Sequence, residues 1–407
     1  MKKMKQIILA IVLSTLALST SGVIRAAELN QSSATNGNTL NSWNAPAVNP
    51  TRGSWQNSDL KTSDSSRSPL LPRWTFSAEA VAFDRDGTAN RTLVSFVPGT
   101  YSFGQVPNIA GVQALNSNDL NQGFSPGFKL SSTYQADSRY GLQISFLRVA
   151  DWSAGQSFPT GNPLNWLVMK APGFVQTQDY TYQSMAWDYS TNLANVQCNL
   201  RYTLSSRITL LGGFGWLRLK ENLQGLITPI DKYIPIWMYN SNNTLYDGQQ
   251  FERQPGGVPF PAAFTPTFWN TNVVNNLYGF QVGADATLFE HGRFSIDGLA
   301  KLGGYLNDAE ESTGVRMKKV VYPSSASTDH PACAVEAGLQ VKYRFTENLS
   351  LVAGYEVLWL DGVALAPGQI QETVSTYTTP PTATALGVNS GSSVLFHGAH
   401  AGLQYSF

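Results

Sequence analysis

Ten side chains set in otherwise alternating stretches carry the charge that chemistry would need. The acids are Glu79, Asp285, Asp297, Glu336 and Glu356; the bases are Lys129, Arg201, Lys301 and Lys342, with His400 as the tenth. Their signs are mixed and they lie far apart in sequence, so no local motif joins an acid, a base and a nucleophile. If all ten face one interior, two arrangements are open. The charges line a narrow water path, or they pair with one another and fill the space. Small barrels have interiors just wide enough for side chains, which favours the filled arrangement.

Other constellations read as structural. His397 and His400 are three residues apart, which on a strand puts them on opposite faces. His400 then points inward and His397 sits at the outer rim. FDRDGTAN (83–90) offers oxygen ligands from Asp84, Asp86 and Asn90 but lacks the twelve-residue calcium pattern with its terminal Glu, so a polar turn is expected. LLGGFGWLRLK (210–220) lacks the Lys-Ser/Thr of a phosphate loop, and no helix follows it. Its glycines suit bending or close packing within a strand. Cys198 and Cys333 make no disulfide framework or zinc site. With no converging catalytic set, an enzyme is the weakest reading, and no cofactor or metal is expected. Net charge is zero and only 13% of residues are charged, which argues against nucleic acid, since that requires a basic stripe.

The elements that must position these residues are strands. The chain opens with MKKMKQIILAIVLSTLALST, in which lysines precede an apolar run from Ile7 to Leu18. That is the form of a secretory signal peptide, expected over 1–27. Residues 28–72 are rich in Asn, Ser and Thr and are expected to be a disordered periplasmic arm. From 73 to 407 the pattern has period two. In AVEAGLQVKYRF (334–345), Val335, Ala337, Leu339, Val341, Tyr343 and Phe345 oppose Glu336, Gln340, Lys342 and Arg344. Ten such strands are expected: 73–83, 124–134, 140–152, 188–204, 207–221, 273–289, 293–306, 332–345, 348–362 and 392–407. Tight turns (QADSR, SSR, EHG, TEN) alternate with long connections at 84–123, 153–187, 222–272, 307–331 and 363–391. Transmembrane barrels alternate this way, with short periplasmic turns and long outer loops. In lipid every backbone group must be paired, so the first strand has to close on the last. The expectation is a closed, antiparallel, up-and-down barrel in a bacterial outer membrane, in contact with its lipid. The aromatics of 222–272, among them Tyr233, Trp237, Tyr239, Phe264 and Trp269, are expected in an external loop. There they either bind glycan or an envelope protein, or fold inward and cap the barrel.

Two stretches carry a family resemblance. AGYEVLWLDGVALAPGQ (353–369) and the terminal HGAHAGLQYSF (397–407) resemble the planctomycete outer-membrane beta-barrel family of the "beta-barrel protein seven" type. The resemblance implies an outer-membrane location and the barrel fold, and it implies no activity or catalytic residue. Leu403, Tyr405 and Phe407 also match the terminal aromatic signal that outer-membrane assembly machinery reads in outer-membrane proteins generally. Two functions follow as expectations: a structural or surface-interaction barrel with a largely filled lumen, or a narrow porin-like channel for small solutes.

Overall fold

The computed structural model describes residues 74–87, 89–96, 112–159, 167–169, 174–175, 180–229, 267–317, 320–370, 374–375, 382–383 and 387–407. The expected signal peptide (1–27), the 28–72 arm and the loop aromatics Tyr233, Trp237, Tyr239 and Phe264 lie outside these residues.

Ten antiparallel strands close into a barrel. They are β1 (Trp74–Asp86), β2 (Phe124–Gln135), β3 (Tyr140–Pro159), β4 (Tyr180–Thr203), β5 (Ile208–Pro229), β6 (Thr267–His291), β7 (Phe294–Met317), β8 (Val320–Arg344), β9 (Leu349–Val363) and β10 (Ser392–Ser406). Each pairs with its sequence neighbours, and β1 pairs with β10 from Thr75↔Ser406 to Asp86↔Leu395. The seam is sealed at its end by two main-chain bonds between Trp74 and Phe407, at 3.1 and 2.9 Å. Phe76 stacks on Phe407 with centroids 6.0 Å apart. The terminal strand therefore has no free edge.

Side chains alternate as the sequence requires. Phe280, Val282, Leu339, Leu403, Tyr405 and Phe407 are exposed on the outer wall, while Glu79, Lys301, Glu336, Glu356 and His400 are buried inside. Three of the four turns at the end that holds the termini match expectation; at the fourth, β6 runs on through Glu290 and His291 and the turn is Gly292–Arg293. In one of the three, Asp137 accepts the N–H groups of Arg139 and Tyr140, each at 2.7 Å. The Tyr140 bond, then that of Arg139, holds its carboxyl below the ordinary range. This turn bond is present above the ordinary carboxylate pKa and is lost as pH falls through the depressed one.

At the far end the strands outrun expectation. Residues 307–331 were expected as a loop, yet β7 and β8 pair continuously from Phe294↔Tyr343 to Met317↔Val320. The reason is that the outer faces there carry Asp308, Glu310, Ser325 and Ser327. Polarity marks the end of the apolar belt, not the end of the strand. The strict alternation of short and long connections fails at this hairpin. Asp84 and Asp86, expected in a polar turn, belong to β1.

Cys198 is exposed on the outer wall and Cys333 is half-buried; both are free thiols. They sit on β4 and β8, so gel mobility without reductant should equal that with reductant. A reductant-dependent shift would contradict this placement.

Candidate functional site: the charged interior

Inside the barrel, the ten charged residues anticipated from alternation all face inward and resolve into five pairs. Arg201 meets Asp285 at 2.7 Å, Lys342 meets Asp297 at 3.8 Å, Lys129 meets Glu356 at 2.5 Å, Lys301 meets Glu336 at 2.8 Å and His400 Nδ1 meets Glu79 at 2.6 Å. A buried charge left alone is costly, so mutual pairing is the arrangement such an interior can tolerate. Arg201, Asp285, Asp297 and Lys342 keep partial exposure and form a vestibule toward the terminal end. The other three pairs lie deeper.

Some of these contacts cross the lumen. Lys129 on β2 and Glu356 on β9 are three strands apart around the wall. Gln197 on β4 donates to Glu336 Oε2 on β8, four strands away, at 2.9 Å, and accepts from Lys301 Nζ at 2.8 Å. Gln197, Lys301 and Glu336 thus make a crossbar. Gln281 donates to Asn199 at 2.7 Å and accepts from the Tyr305 hydroxyl at 3.1 Å. The Tyr305 ring needs the glycines that flank it. A Cβ at Gly215, Gly279 or Gly303 would collide with it.

Above the charged layer the interior becomes apolar. Val81, Phe83, Trp152, Leu217, Leu277, Leu358 and Phe396 form one buried cluster. Higher still, Met185, Trp187, Tyr189, Leu223, Trp269 and Val273 form another with Leu93, Val94 and Leu115, which come from the connection between β1 and β2. Trp269, expected in an external loop, is instead an inward residue of β6, 2% exposed, and its Nε1 donates to Thr271 Oγ1 at 2.9 Å. Strand β6 begins at Thr267, before the polar outer face made it legible.

Sequence reasoning missed the residues that hold this upper interior together. Near the end of β9 the chain turns at Gly362, whose φ of 79° is costly for any residue with a Cβ, and residues 364–370 then pass into the barrel mouth. Ala364, Leu365 and Ala366 are fully buried. Asn275 grips Ala364 by both main-chain groups, at 2.7 and 2.8 Å. Asn307 donates to Gly362 O at 3.0 Å. Glu221 Oε2 accepts the N–H of Ala366 at 2.8 Å. Glu221 Oε1 in turn meets Arg85, four strands away, at 2.5 Å, and Arg85 donates to the Tyr189 hydroxyl at 2.6 Å. The LDGVALAPGQ stretch is therefore an inward plug, and the start of the connection 363–391 is not external. Arg85 shares the parity of Glu79, so extending β1 by three residues would have found it. No sequence signal points from Arg85 to Glu221.

Among the described residues no group of three or more His, Cys, Asp or Glu side chains gathers in metal-binding geometry. No described helix is long and apolar enough to cross a membrane, which leaves strand crossing untouched.

Known structures with similar outlines are the outer membrane protease OmpT from Escherichia coli, a FadL homologue from Pseudomonas aeruginosa and the P. putida toluene transporter TodX. Identity to OmpT is 10%, covering 84% of this chain and 98% of that one, with a TM-score of 0.38. The FadL homologue gives 11%, 82%, 90% and 0.26, and TodX gives 10%, 84%, 91% and 0.28. No curated protein matches the chain. Residues 252–407, which hold β6 to β10 and the plug, match the family described as "Putative beta barrel porin-7 (BBP7)", so it is this part of the chain that is similar to the beta-barrel porins.

Proposed function

We propose that this protein is a bacterial outer-membrane barrel, termini in the periplasm, with a structural or surface-interaction role in the cell envelope and a closed lumen. The observation that carries this reading is the double obstruction of the interior: the Gln197–Lys301–Glu336 crossbar below and the plug at 364–370 above. The even strand number, the exposed apolar wall and the porin-family match support the membrane location. Its partners on this reading are outer-membrane lipid and, during insertion, the assembly machinery that reads Leu403, Tyr405 and Phe407. Glycan or an envelope protein would meet the far-end connections. No catalytic role is proposed, because the inward acids and bases are spent on one another.

A narrow porin-like channel is the second reading. The part-exposed vestibule lined by Arg201, Asp285, Asp297 and Lys342 favours it. Planar-bilayer recording separates the two. The wild type should give little or no steady current. Removing 364–369 together with Gln197→Ala and Glu336→Ala should raise it. Stable wild-type channels well above those of filled eight-stranded barrels would establish the porin reading and defeat the closed one.

A further inference from the structure

Where the outer wall leaves its apolar belt, charge is sorted by sector. Going up each strand, the first charged outward residue is Arg148 on β3 and Arg218 on β5, with Lys220 one outward step higher. On β1, β7, β8 and β9 it is an acid: Asp84, Asp308, Asp329 and Asp361; on β4, between the two basic strands, it is Asp188, four residues above Asn192 and so well clear of the arginines. Arg148 and Arg218 are both cross-strand partners of Ala194 on β4, so they flank one small residue. Their main chains stand two strand spacings apart, about 10 Å. Ala194 is only 7% exposed although it faces outward. Lys220 partners Asn192, whose side chain donates to Asp151 at 2.6 Å, so Asp151 sits at the upper edge of this group with its carboxylate held by an amide. Arg148, Arg218 and Lys220 themselves are exposed and make no ion pair among the described residues. Just below lie Phe146 and Trp216, apolar and interfacial in character.

The geometry points to a site for the phosphate-bearing headgroup of an outer-leaflet lipid, held by Arg148, Arg218 and Lys220 on the β3–β5 wall. Two guanidinium groups and an ammonium around a small residue suit phosphate oxygens, Arg by paired N–H bonds and Lys as a point charge. The belt beneath already contacts acyl chains, which commits the occupant to a lipid in place of a free anion. The acidic sectors elsewhere at the belt's edge would repel the same headgroup, so binding is confined to this side. The inference rests on the membrane reading above.

The test is native mass spectrometry of the detergent-solubilised full barrel titrated with diphosphorylated lipid A, with phosphatidylcholine and with inorganic phosphate. Three proteins are compared: the wild type, Arg148→Gln/Arg218→Gln/Lys220→Gln, and Arg139→Gln/Arg207→Gln/Arg293→Gln. The last removes equal charge from exposed turns at the opposite end. The wild type should retain lipid A and release phosphatidylcholine. The wall variant should lose affinity by roughly a hundredfold, and the turn variant should not. Equal loss in both variants, or displacement of lipid A by millimolar phosphate, would overturn the site. Both variants must first migrate as folded, heat-modifiable barrels. Failure of the wild type itself to insert into vesicles would defeat the membrane reading instead.

Discussion

Glu221→Ala should destabilise the barrel by about 3–5 kcal/mol, the largest single cost expected at any polar position. Glu221 is fully buried and answers two groups at once, the Arg85 guanidinium and the Ala366 N–H. Removing it strands a cation whose only other side-chain partner among the described residues is a phenol, Tyr189. The same change unfastens the plug from β5. Arg85→Met/Glu221→Met should cost far less than Glu221→Ala, because apolar replacement of both partners leaves no orphan charge. Glu221→Gln separates the two jobs: it keeps an acceptor for Ala366 and drops the charge. Urea unfolding in phospholipid vesicles, followed by tryptophan fluorescence, measures all four proteins. A Glu221→Ala cost below about 1 kcal/mol would mean that the Arg85 pair is solvated and the barrel mouth open.

This lock also marks where sequence ceases to be informative. Alternation gave the face of every one of the ten inward charges, because a strand's period of two is fixed by the backbone alone. The turns at the terminal end were legible for a similar reason: Asp137, Ser205 and Gly292 are local turn chemistry. What alternation cannot give is a partner on the far wall. Lys129 and Glu356 are 227 residues apart, and only barrel closure and the stagger of the strands bring them together. The far ends of β6, β7 and β8 were misread for another reason. Beyond the belt the outer face turns polar, so the apolar half of the alternation moves inside, to Trp269, Val273 and Ala309. A reading that looks for apolar outside and polar inside sees a loop there. The plug was hidden because Ala364, Leu365 and Ala366 form a short apolar run with no period at all.

The same inversion gives the other large effect. Leu339→Arg on β8 and Val282→Arg on β6 should each cost about 2–4 kcal/mol, since both side chains point outward near mid-belt with 56% and 64% of their surface exposed. Ser327→Arg lies on the same face of β8, but above the belt, and should cost roughly 0–1 kcal/mol. Gln340→Arg, next to Leu339 but inward, is register partner of Asp297, so the new cation gains an acid and the cost should again be small. Urea unfolding in vesicles reads the three positions on one strand against each other. Equal costs at 339 and 340 would invert the inside–outside assignment. Equal costs at 327 and 339 would place lipid along the whole 25 residues of β8, and the polar wall carried by Asp308, Glu310 and Asp329 would then have to be buried elsewhere. A cost confined to Leu339 and Val282 would mean that lipid grips only the lower half of the barrel. The upper half, with the plug inside it and the Arg148–Arg218–Lys220 group at its base, would then stand clear of the membrane, held up by its own packed interior.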